Sequence, residues 1–486
     1  MTAFDTVIHG GRIVTASDIF DGDIGITDGR IAAIGEKIAG GSSRIDAGGR
    51  LVVPGGIEAH AHIAQESSAG VMTADDYYSG SVSAAFGGNS SFIPFAAQHR
   101  GQSIAEVIAT YDGRAAPHSV LDYSYHLIIS DPSADVLAEL PGVFARGITS
   151  FKVFMTYDLM NIGDGGMLDI LTIAKTHGAL TMVHAENNDM VKWMNKRLAA
   201  AGLTAPKYHA ISRPELAEEE AINRAVSLAK LVDAALFIVH VSTAGGAAIV
   251  QREKLAGTKL FAETCPQYLA LTRDDLDRPG MEGAKFICSP PLRDAATQEA
   301  LWRHVQSGTF ESVSSDHAPY RFDASGKFAN GADAHYPKIS NGMPGIAMRL
   351  PYLFSEGVAK GRITLQQFVA LSSTNAAKTF GMAKKGSIAP GYEADICIWD
   401  PEARRKATLA DQHDNMDYTP FEGMEIEGWP VLTMNRGDVI VENGELKADR
   451  GRGRFIARSP VDLTGKPGYR AKEFDPAQNF GVEIAP

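Results

Sequence analysis

The stretch Val52-Val53-Pro54-Gly55-Gly56-Ile57-Glu58-Ala59-His60-Ala61-His62 decides the fold and the chemistry of this chain. Its apolar beginning predicts a short buried strand, which ends in two histidines two positions apart. Side chains at i and i+2 of a strand point to the same side. Both imidazoles can therefore reach one metal ion, because neutral imidazole is a common ligand of zinc and similar cations. A single His-x-His pair is weak evidence, so the rest of the chain must support it.

Other polar residues end or interrupt apolar, strand-like runs further along the chain; they are Lys152, His184, His240 and Asp316. Helix-like segments, such as 167–177, 215–231 and 297–305, lie between these runs. Strands that alternate with helices indicate parallel βαβ units. Eight such units close into a barrel whose active site lies at the C-terminal ends of the strands. We therefore predict an α/β fold, a (β/α)8 TIM-like barrel, with these residues at one face.

The alternative is that each of these residues is a satisfied core side chain. For a lone histidine after a strand this alternative is favoured, but it weakens when several such positions share one end of a barrel. Lys152 is the hardest to explain in this way, because a lysine inside a buried strand is unfavourable unless it is paired. Carboxylation of its amine by carbon dioxide would turn it into an anion that bridges two metals.

The chain resembles the cyclic amidohydrolases, and among them the dihydropyrimidinase and hydantoinase family, over roughly residues 5–454. The motifs that carry the resemblance follow one another along the barrel and into the C-terminal region. They are Pro54-Gly55-Gly56-Ile57, His60-Ala61-His62, Ser150-Phe151-Lys152-Val153-Phe154-Met155, Val183-His184-Ala185-Glu186-Asn187, Val239-His240-Val241-Ser242, Glu263-Thr264-Cys265-Pro266-Gln267-Tyr268, Ser289-Pro290-Pro291-Leu292-Arg293, Ser315-Asp316-His317-Ala318-Pro319 and Phe421-Glu422-Gly423-Met424-Glu425.

The resemblance implies a centre of two divalent metal ions, usually zinc, bridged by a hydroxide. One ion would be held by His60, His62, Lys152 and Asp316. The other would be held by His184, His240 and the shared carboxylated Lys152. Metals lower the pKa of bound water enough to supply a nucleophile near neutral pH. Asp316 would carry the proton from this nucleophile to the leaving amide nitrogen, which is general acid–base work.

The resemblance also implies the substrate contacts. Tyr157 stands where the family has a tyrosine that stabilises the tetrahedral oxyanion, a role that suits a phenolic donor. The alternative for Tyr157 is an aromatic residue at the rim. Ser289 and Asn341 occupy positions whose backbone groups hold the cyclic amide in the family. Backbone donors and acceptors suit a ureide or imide, which presents N–H and C=O side by side.

Two loops depart from the family pattern at the expected mouth of the pocket. The stretch 63–70 is polar and small where relatives usually carry an apolar gate loop. The stretch 158–163 is short and lacks the aromatic residue that is frequent there. We therefore expect a ring substituent different from that of aromatic-hydantoin enzymes. The motif 315–319 is also similar to that of allantoinase and dihydroorotase, so those activities and other cyclic imides stay open.

Composition sets the expected partners and compartment. The net charge of −12 disfavours nucleic acid and anionic membranes as partners, which leaves a small cyclic amide substrate. The three cysteines form no disulfide or zinc pattern, which fits a reducing cytoplasm. We expect no signal peptide, because the N-terminus lacks a basic region followed by an apolar run. Glu218-Glu219-Glu220 is predicted to be a solvated helix face.

The order of strand and helix patterns predicts how the domains are arranged. Residues 1–53 and 384–448 contain short strands separated by Asp-Gly, Gly-Gly and Asn-Gly turns, and residues 54–383 form the barrel. In the family the two chain ends form one β-sandwich. Residues 449–486 form a tail, in which Arg450-Gly451-Arg452-Gly453-Arg454 is read as a flexible or subunit-contacting arm. From the resemblance we expect a homotetramer or homodimer.

Two classes of function remain to be weighed. The first is a metal-dependent hydrolase that opens a dihydropyrimidine or hydantoin ring. The second is a non-catalytic scaffold on the same fold, as exists among relatives of dihydropyrimidinase. A scaffold need not keep all six proposed ligands together, so their presence favours the enzyme. The role of His317, next to a proposed ligand, stays open.

Overall fold

The computed structural model describes residues 4–67 and 70–486. Its strands, numbered along the chain, form two separate sheets. The strands are β1 Thr6–Val14, β2 Ile19–Thr27, β3 Arg30–Gly35, β4 Ser43–Asp46, β5 Leu51–Pro54, β6 Gly56–Ala61, β7 Asn89–Ala97, β8 Asp122–Tyr123, β9 His126–Ile128, β10 Ser150–Phe154, β11 Leu180–His184, β12 Leu236–Ile238, β13 Leu260–Thr264, β14 Ser312–Val313, β15 Ile396–Lys406, β16 Glu425–Asn435, β17 Asp438–Glu442 and β18 Glu445–Leu446.

Helices follow most of the barrel strands. They are α1 Tyr77–Phe86, α2 Ile104–Ala115, α3 Ala134–Ala145, α4 Gly163–His177, α5 Asn188–Ala200, α6 Tyr208–Ser212, α7 Glu215–Val232, α8 Ala244–Leu255, α9 Pro266–Ala270, α10 Ala295–Gln306, α11 Arg349–Tyr352, α12 Leu365–Val369 and α13 Asn375–Thr379. Short 3-10 turns occur at Arg273–Leu276, Glu282–Phe286, Tyr336–Lys338, Leu409–Asp411 and Lys472–Phe474, and π-helical turns at Leu353–Ala359 and Ala370–Thr374. Among the described residues, every helix is too short or too polar to cross a membrane.

The barrel sheet has the strand order β6-β7-β9-β10-β11-β12-β13-β14, with β8 beside β7. All of its described pairings are parallel. The first and last strands meet where Ala61 bridges His317, and the His62 N–H donates to the His317 carbonyl at 2.7 Å. The predicted (β/α)8 barrel is confirmed.

Apolar side chains fill the barrel from within and close its N-terminal end. Ile57, Phe95, Met182 and Phe237 pack together in the interior. Phe380 and Met382 pack into the same cluster from the segment that follows α13, and Ile456 and Val461 reach it from the C-terminal tail. In a barrel of this kind, the site for polar chemistry lies at the C-terminal ends of the strands.

The second sheet joins both ends of the chain, as predicted for the β domain. Its order is β18-β17-β16-β15-β5-β1-β2-β3, with β4 beside β1. Strands β5 and β15 pair antiparallel, which links the N-terminal strands to the C-terminal ones. Isoleucines from both ends, including Ile8, Ile24 and Ile396, share one apolar core.

The stretch 52–62 is divided between the two sheets rather than forming one strand. Gly55 separates β5 from β6, and a Cβ atom there would lie 2.5 Å from the Ser90 side chain. His60 lies within β6, and His62 follows its end by one residue. The one-strand prediction is therefore wrong, because pairing with β15 on one side and β7 on the other splits the apolar run.

The prediction that the acidic residues of α7 form a solvated face is wrong for Glu218. Its side chain is buried, and it accepts a hydrogen bond from the Ser242 backbone N–H at 2.7 Å. It also pairs with buried Arg293 at 3.2 Å. Tertiary contact with the segment after β12 decides this burial, so the helical charge pattern alone could not show it.

The basic stretch 450–454 lies along its own chain. Arg452 pairs with Asp438 at 2.8 Å and donates to the Asn435 side chain at 2.7 Å. The Tyr123 backbone N–H donates to the carbonyl of Arg454 at 2.9 Å. The expectation of a flexible arm is wrong, whereas a subunit contact at this tail stays a prediction.

Candidate metal centre and active site

The six residues proposed as metal ligands lie together at the C-terminal ends of the barrel strands. They are His60 in β6, His62 after it, Lys152 in β10, His184 at the end of β11, His240 after β12 and Asp316 after β14. All are buried except His62, which is partly exposed. Parallel strands bring their C-terminal ends to one face, so separate stretches of chain converge here.

Asp316 is the centre of the first group. Its Oδ1 atom lies 3.0 Å from His60 Nε2 and 3.3 Å from His62 Nε2. Lys152 Nζ lies 3.1 Å from His60 Nε2. Ligand atoms of His60, His240 and Asp316 all lie within 4.8 Å of one another. This crowding of imidazole and carboxylate around one small volume is typical of a transition-metal site.

His184 and His240 form the second group. Their ring centroids are 4.5 Å apart, and the His240 ring is 5.3 Å from that of His60. His240 Nδ1 is buried and has no hydrogen-bond partner among the described residues. A buried polar atom without a partner is unfavourable and calls for an explanation, which a bound metal ion can provide.

The environment sets the protonation states that metal binding requires. Burial lowers the pKa of His62, His184 and His240, which keeps these imidazoles neutral and able to act as ligands. Burial alone would raise the pKa of Asp316, but His60 and hydrogen bonds from the neighbouring histidines hold it well below its usual range. The carboxylate is therefore ionised at neutral pH.

Lys152 is a buried amine with an altered pKa. Burial lowers the pKa of Lys152 to about 8, with Asp316 and Glu263 opposing the shift. A larger share of the amine is thus neutral near pH 8 than for a surface lysine. The neutral amine is the form that can react with carbon dioxide, so this environment suits the proposed carboxylation.

Three histidines have their second ring nitrogen fixed by a side chain. His60 Nδ1 bonds to Glu263, His62 Nδ1 to Gln65 Oε1 at 2.8 Å, and His184 Nε2 to Glu186 Oε2 at 2.6 Å. Such partners fix the tautomer and the ring orientation of metal-binding histidines. Sequence reasoning assigned them no role, although Glu263 near the end of β13 and Glu186 two residues after His184 were available signals.

We predict that Glu263→Gln will weaken metal binding without unfolding the protein. The amide keeps the size of the side chain but loses the negative charge that orients and polarises His60. Loss of such a partner typically lowers metal affinity or activity by about 10–100-fold. Metal content after dialysis against a graded chelator measures the effect. Glu282→Gln, at a partly exposed surface pair with Lys285, is the control, and equal metal retention in both variants would contradict the prediction.

Backbone strain is concentrated at the same face of the barrel. Tyr157, His240 and Asp316 have positive φ values of 66°, 41° and 48°. Non-glycine residues rarely adopt this region, and such strain often accompanies functional sites. The surrounding contacts thus hold three of the proposed site residues in unusual orientations.

A cavity of about 360 Å³ opens beside the proposed metal ligands. The proposed substrate-binding residues Tyr157, Ser289 and Asn341 all line it. Asn341 Oδ1 is buried and has no hydrogen-bond partner among the described residues. The Arg213 guanidinium lies 5.2 Å from the centre of the Tyr157 ring. The cavity therefore offers polar atoms for a small polar ring next to the proposed metal ligands.

Comparison with known proteins identifies the family. The amidohydrolase family profile matches residues 51–440. The D-hydantoinase of Ralstonia pickettii is 43% identical over 93% of this chain and 99% of its own length. That of Geobacillus stearothermophilus is 42% identical over 93% of this chain and 96% of its own length. The chain belongs to the hydantoinase and dihydropyrimidinase family of amidohydrolases.

Solved structures of this family agree with the fold. The crystal structure of dihydropyrimidinase from Brevibacillus agri superimposes with a TM-score of 0.91 at 41% identity. The match covers 94% of this chain and 99% of that one. The family resemblance drawn from the sequence motifs is confirmed.

His317, whose role the sequence left open in this hydantoinase-family chain, is a buried residue next to the proposed ligand Asp316. Its Nε2 bonds to Asp75 Oδ2 at 2.8 Å, and its Nδ1 accepts the Gly345 backbone N–H at 3.0 Å. Both nitrogens are thereby engaged, so the ring serves to fix the strand end that carries Asp316. Its neighbour Asp414 has a pKa raised to about 7, by burial first and by Asp75 second.

The two loops that depart from the family pattern both reach the cavity. Gln65 and Ser67 line it from the first loop, and Met160 lines it from the second. Ser68 and Ala69 lie outside the described residues. The Asn161 backbone N–H donates to the Tyr157 carbonyl at 2.7 Å, which ties the second loop to the proposed oxyanion tyrosine. The predicted change in substituent preference stays a prediction.

Proposed function

We propose that this protein hydrolyses the amide bond of a cyclic ureide or imide, a 5,6-dihydropyrimidine or a hydantoin, with two divalent metal ions. The observation that carries the proposal is the convergence of His60, His62, Lys152, His184, His240 and Asp316 beside a cavity with unpaired polar atoms. The hydantoinase and dihydropyrimidinase relatives support the choice of ring.

The side chains present fit two ions. His60, His62 and Asp316 would hold one, His184 and His240 the other, and a carboxylated Lys152 would be shared. Imidazole nitrogen and carboxylate oxygen in this number suit Zn²⁺. In the second group, the buried His240 Nδ1 atom has no hydrogen-bond partner among the described residues, which a bound ion would explain. When bound, such ions supply activated water near neutral pH and polarise a carbonyl group.

The protein's own groups would move the proton and hold the ring. Asp316, ionised and buried, accepts a proton from the attacking water and delivers it to the leaving amide nitrogen. The backbone groups of Ser289 and Asn341, two residues that line the cavity, bind the N–H and C=O groups of the ring.

Tyr157 donates a hydrogen bond to the oxygen that becomes negative as the amide is attacked. Burial raises the pKa of Tyr157, so the phenol stays protonated and able to donate. We predict that Tyr157→Phe lowers kcat by about 10²–10³-fold, with a smaller change in KM, because the donor acts mainly on the transition state. Steady-state kinetics test this, with Tyr392→Phe in the terminal β domain as the control. A Tyr157→Phe variant with kcat within threefold of the parent value would contradict the proposed role of Tyr157 as the oxyanion donor.

Ring opening by the purified, metal-loaded protein tests the proposed function. Hydantoin, dihydrouracil and allantoin are compared side by side, with bound metal measured in the same sample. Fast turnover of hydantoin or dihydrouracil supports the proposal. If the metal-loaded protein opens only allantoin, dihydroorotate or another imide, that ring replaces hydantoin and dihydropyrimidine as the proposed substrate. Metal-loaded protein without any turnover would favour the scaffold alternative.

The departing loops suggest which ring substituent fits. The cavity lining includes polar Gln65 and Ser67 as well as apolar Val71 and Met160. We propose that small or polar substituents are preferred over aromatic ones. Strong preference for 5-phenylhydantoin over hydantoins with small polar substituents would contradict this.

We further propose that the protein works in the cytoplasm as a homotetramer or homodimer. The cysteines Cys265, Cys288 and Cys397 are all free and buried, which suits a reducing compartment. Large apolar side chains such as Trp193 and Leu216 are 57% and 66% exposed, and we propose that they lie in contacts between subunits. Light scattering on the purified protein tests the assembly.

A further inference from the structure

Lys327 is a fully buried cation outside the metal centre. Its Nζ atom donates to the carbonyl oxygens of Ile287 at 2.9 Å, Ser340 at 2.9 Å and Gly342 at 2.6 Å. An ammonium group has three N–H donors, so these three bonds use all of them. Burial lowers the pKa of Lys327 to about 7, which reflects strong desolvation. Lysines are seldom buried without a carboxylate partner, and here all three partners are backbone oxygens.

The three carbonyl groups belong to the two segments that carry the proposed substrate contacts. Ile287 precedes Ser289 by two residues, and Ser340 and Gly342 flank Asn341. The Ile287 carbonyl also accepts the Gly342 backbone N–H at 3.0 Å. One ammonium group therefore holds together chain segments that are about fifty residues apart in the sequence.

The second segment has little freedom to shift without moving the site. Gly342 has a φ of 143°, and a Cβ atom there would lie 2.5 Å from the Ala318 Cβ and 2.6 Å from its carbonyl oxygen. Ala318 follows Asp316 by two residues, and its backbone N–H donates to the Met343 carbonyl at 3.0 Å. A displacement of residues 340–342 would therefore change the distance between Asn341 and the metal ligands.

We propose that Lys327 is a positioning residue for ring opening, which fixes the spacing between Ser289 and Asn341 so that the ring amide is held at the metal centre. The proposal rests on the proposed function. Lys327 is not among the residues that line the cavity, so it acts through the two segments and not on the substrate.

Lys327→Met tests this, because methionine fills much of the volume but donates no hydrogen bond. We expect KM for the ring that the parent opens to rise about tenfold or more, while kcat falls less and both metals stay bound, since misplaced contacts weaken ring binding. Hydrogen exchange at the Gly342 amide is expected to accelerate. Lys285→Met, at the surface pair with Glu282, is the matched control and should leave KM unchanged.

Lys327→Arg and Lys327→Gln keep the test valid if the methionine variant does not fold. Arginine retains charge and several donors, so its KM should lie closer to the parent value than that of the glutamine variant. Unchanged KM, or activity lost only in proportion to unfolded protein, would overturn the proposal. A parent protein that is inactive on every ring would instead overturn the proposed function. Unchanged hydrogen exchange at the Gly342 amide in Lys327→Met would show, independently of turnover, that Lys327 does not hold the two segments together.

Discussion

Replacing Lys152 by methionine is expected to abolish ring opening and to release metal from both groups of ligands. Lys152 is the only proposed ligand shared by the two ions, and its amine lies 3.1 Å from His60 Nε2. Without it, the rate should fall towards the uncatalysed background, roughly a millionfold or more below an enzyme's rate. The fold should survive, because the change removes a buried amine and leaves an apolar side chain beside Phe95 and Phe154.

Metal analysis and a carbon-13 carbamate signal after addition of labelled bicarbonate measure the two parts of this effect. The parent protein should show the signal and two ions, and Lys152→Met neither. Lys175→Met is the control, since Lys175 bonds to the Val232 carbonyl away from the site. Because the pKa of Lys152 is about 8, metal-free parent protein should take up carbon dioxide more readily as pH rises through this value. A Lys152→Met variant with two bound ions and normal turnover would contradict the bridging role.

Replacing Asp316 by asparagine is expected to lower kcat by about 10²–10⁴-fold, the usual contribution of a general acid–base group. Asparagine keeps an oxygen that can contact a metal, but it can no longer accept and return a proton. The loss should persist at every pH at which the protein is folded, because no other described carboxylate lies as close to both His60 and His62.

Measurement of kcat together with metal content separates the two roles of Asp316. Low kcat with both ions bound supports proton transfer, and low kcat with one ion lost shows that ligation dominates. Asp323→Asn, in an exposed pair with Arg321, controls for the change of charge. Activity within threefold of the parent would exclude Asp316 from both roles.

Local patterns along the chain predicted the barrel, which is confirmed, and the residues that are proposed as its metal ligands. The apolar runs that end in His184 or lead into His240 and Asp316 can be recognised from a few neighbouring residues, because strand periodicity and strand ends are local properties of the sequence. Helices α4, α7 and α10 lie where the periodicity predicts them, with slightly wider bounds. The side chain of Asp294 caps α10 at the Thr297 N–H, which extends this helix beyond its apolar pattern.

The sequence by itself thus determined the fold class, the family and the positions of the six proposed ligands. Only the tertiary structure decided which groups orient those ligands and what surrounds them. Glu263 reaches His60 from a segment about two hundred residues away, Glu218 is buried against Arg293, and Lys327 joins two distant segments. These contacts depend on how far-separated parts of the chain pack together, and no local periodicity encodes the distance between them.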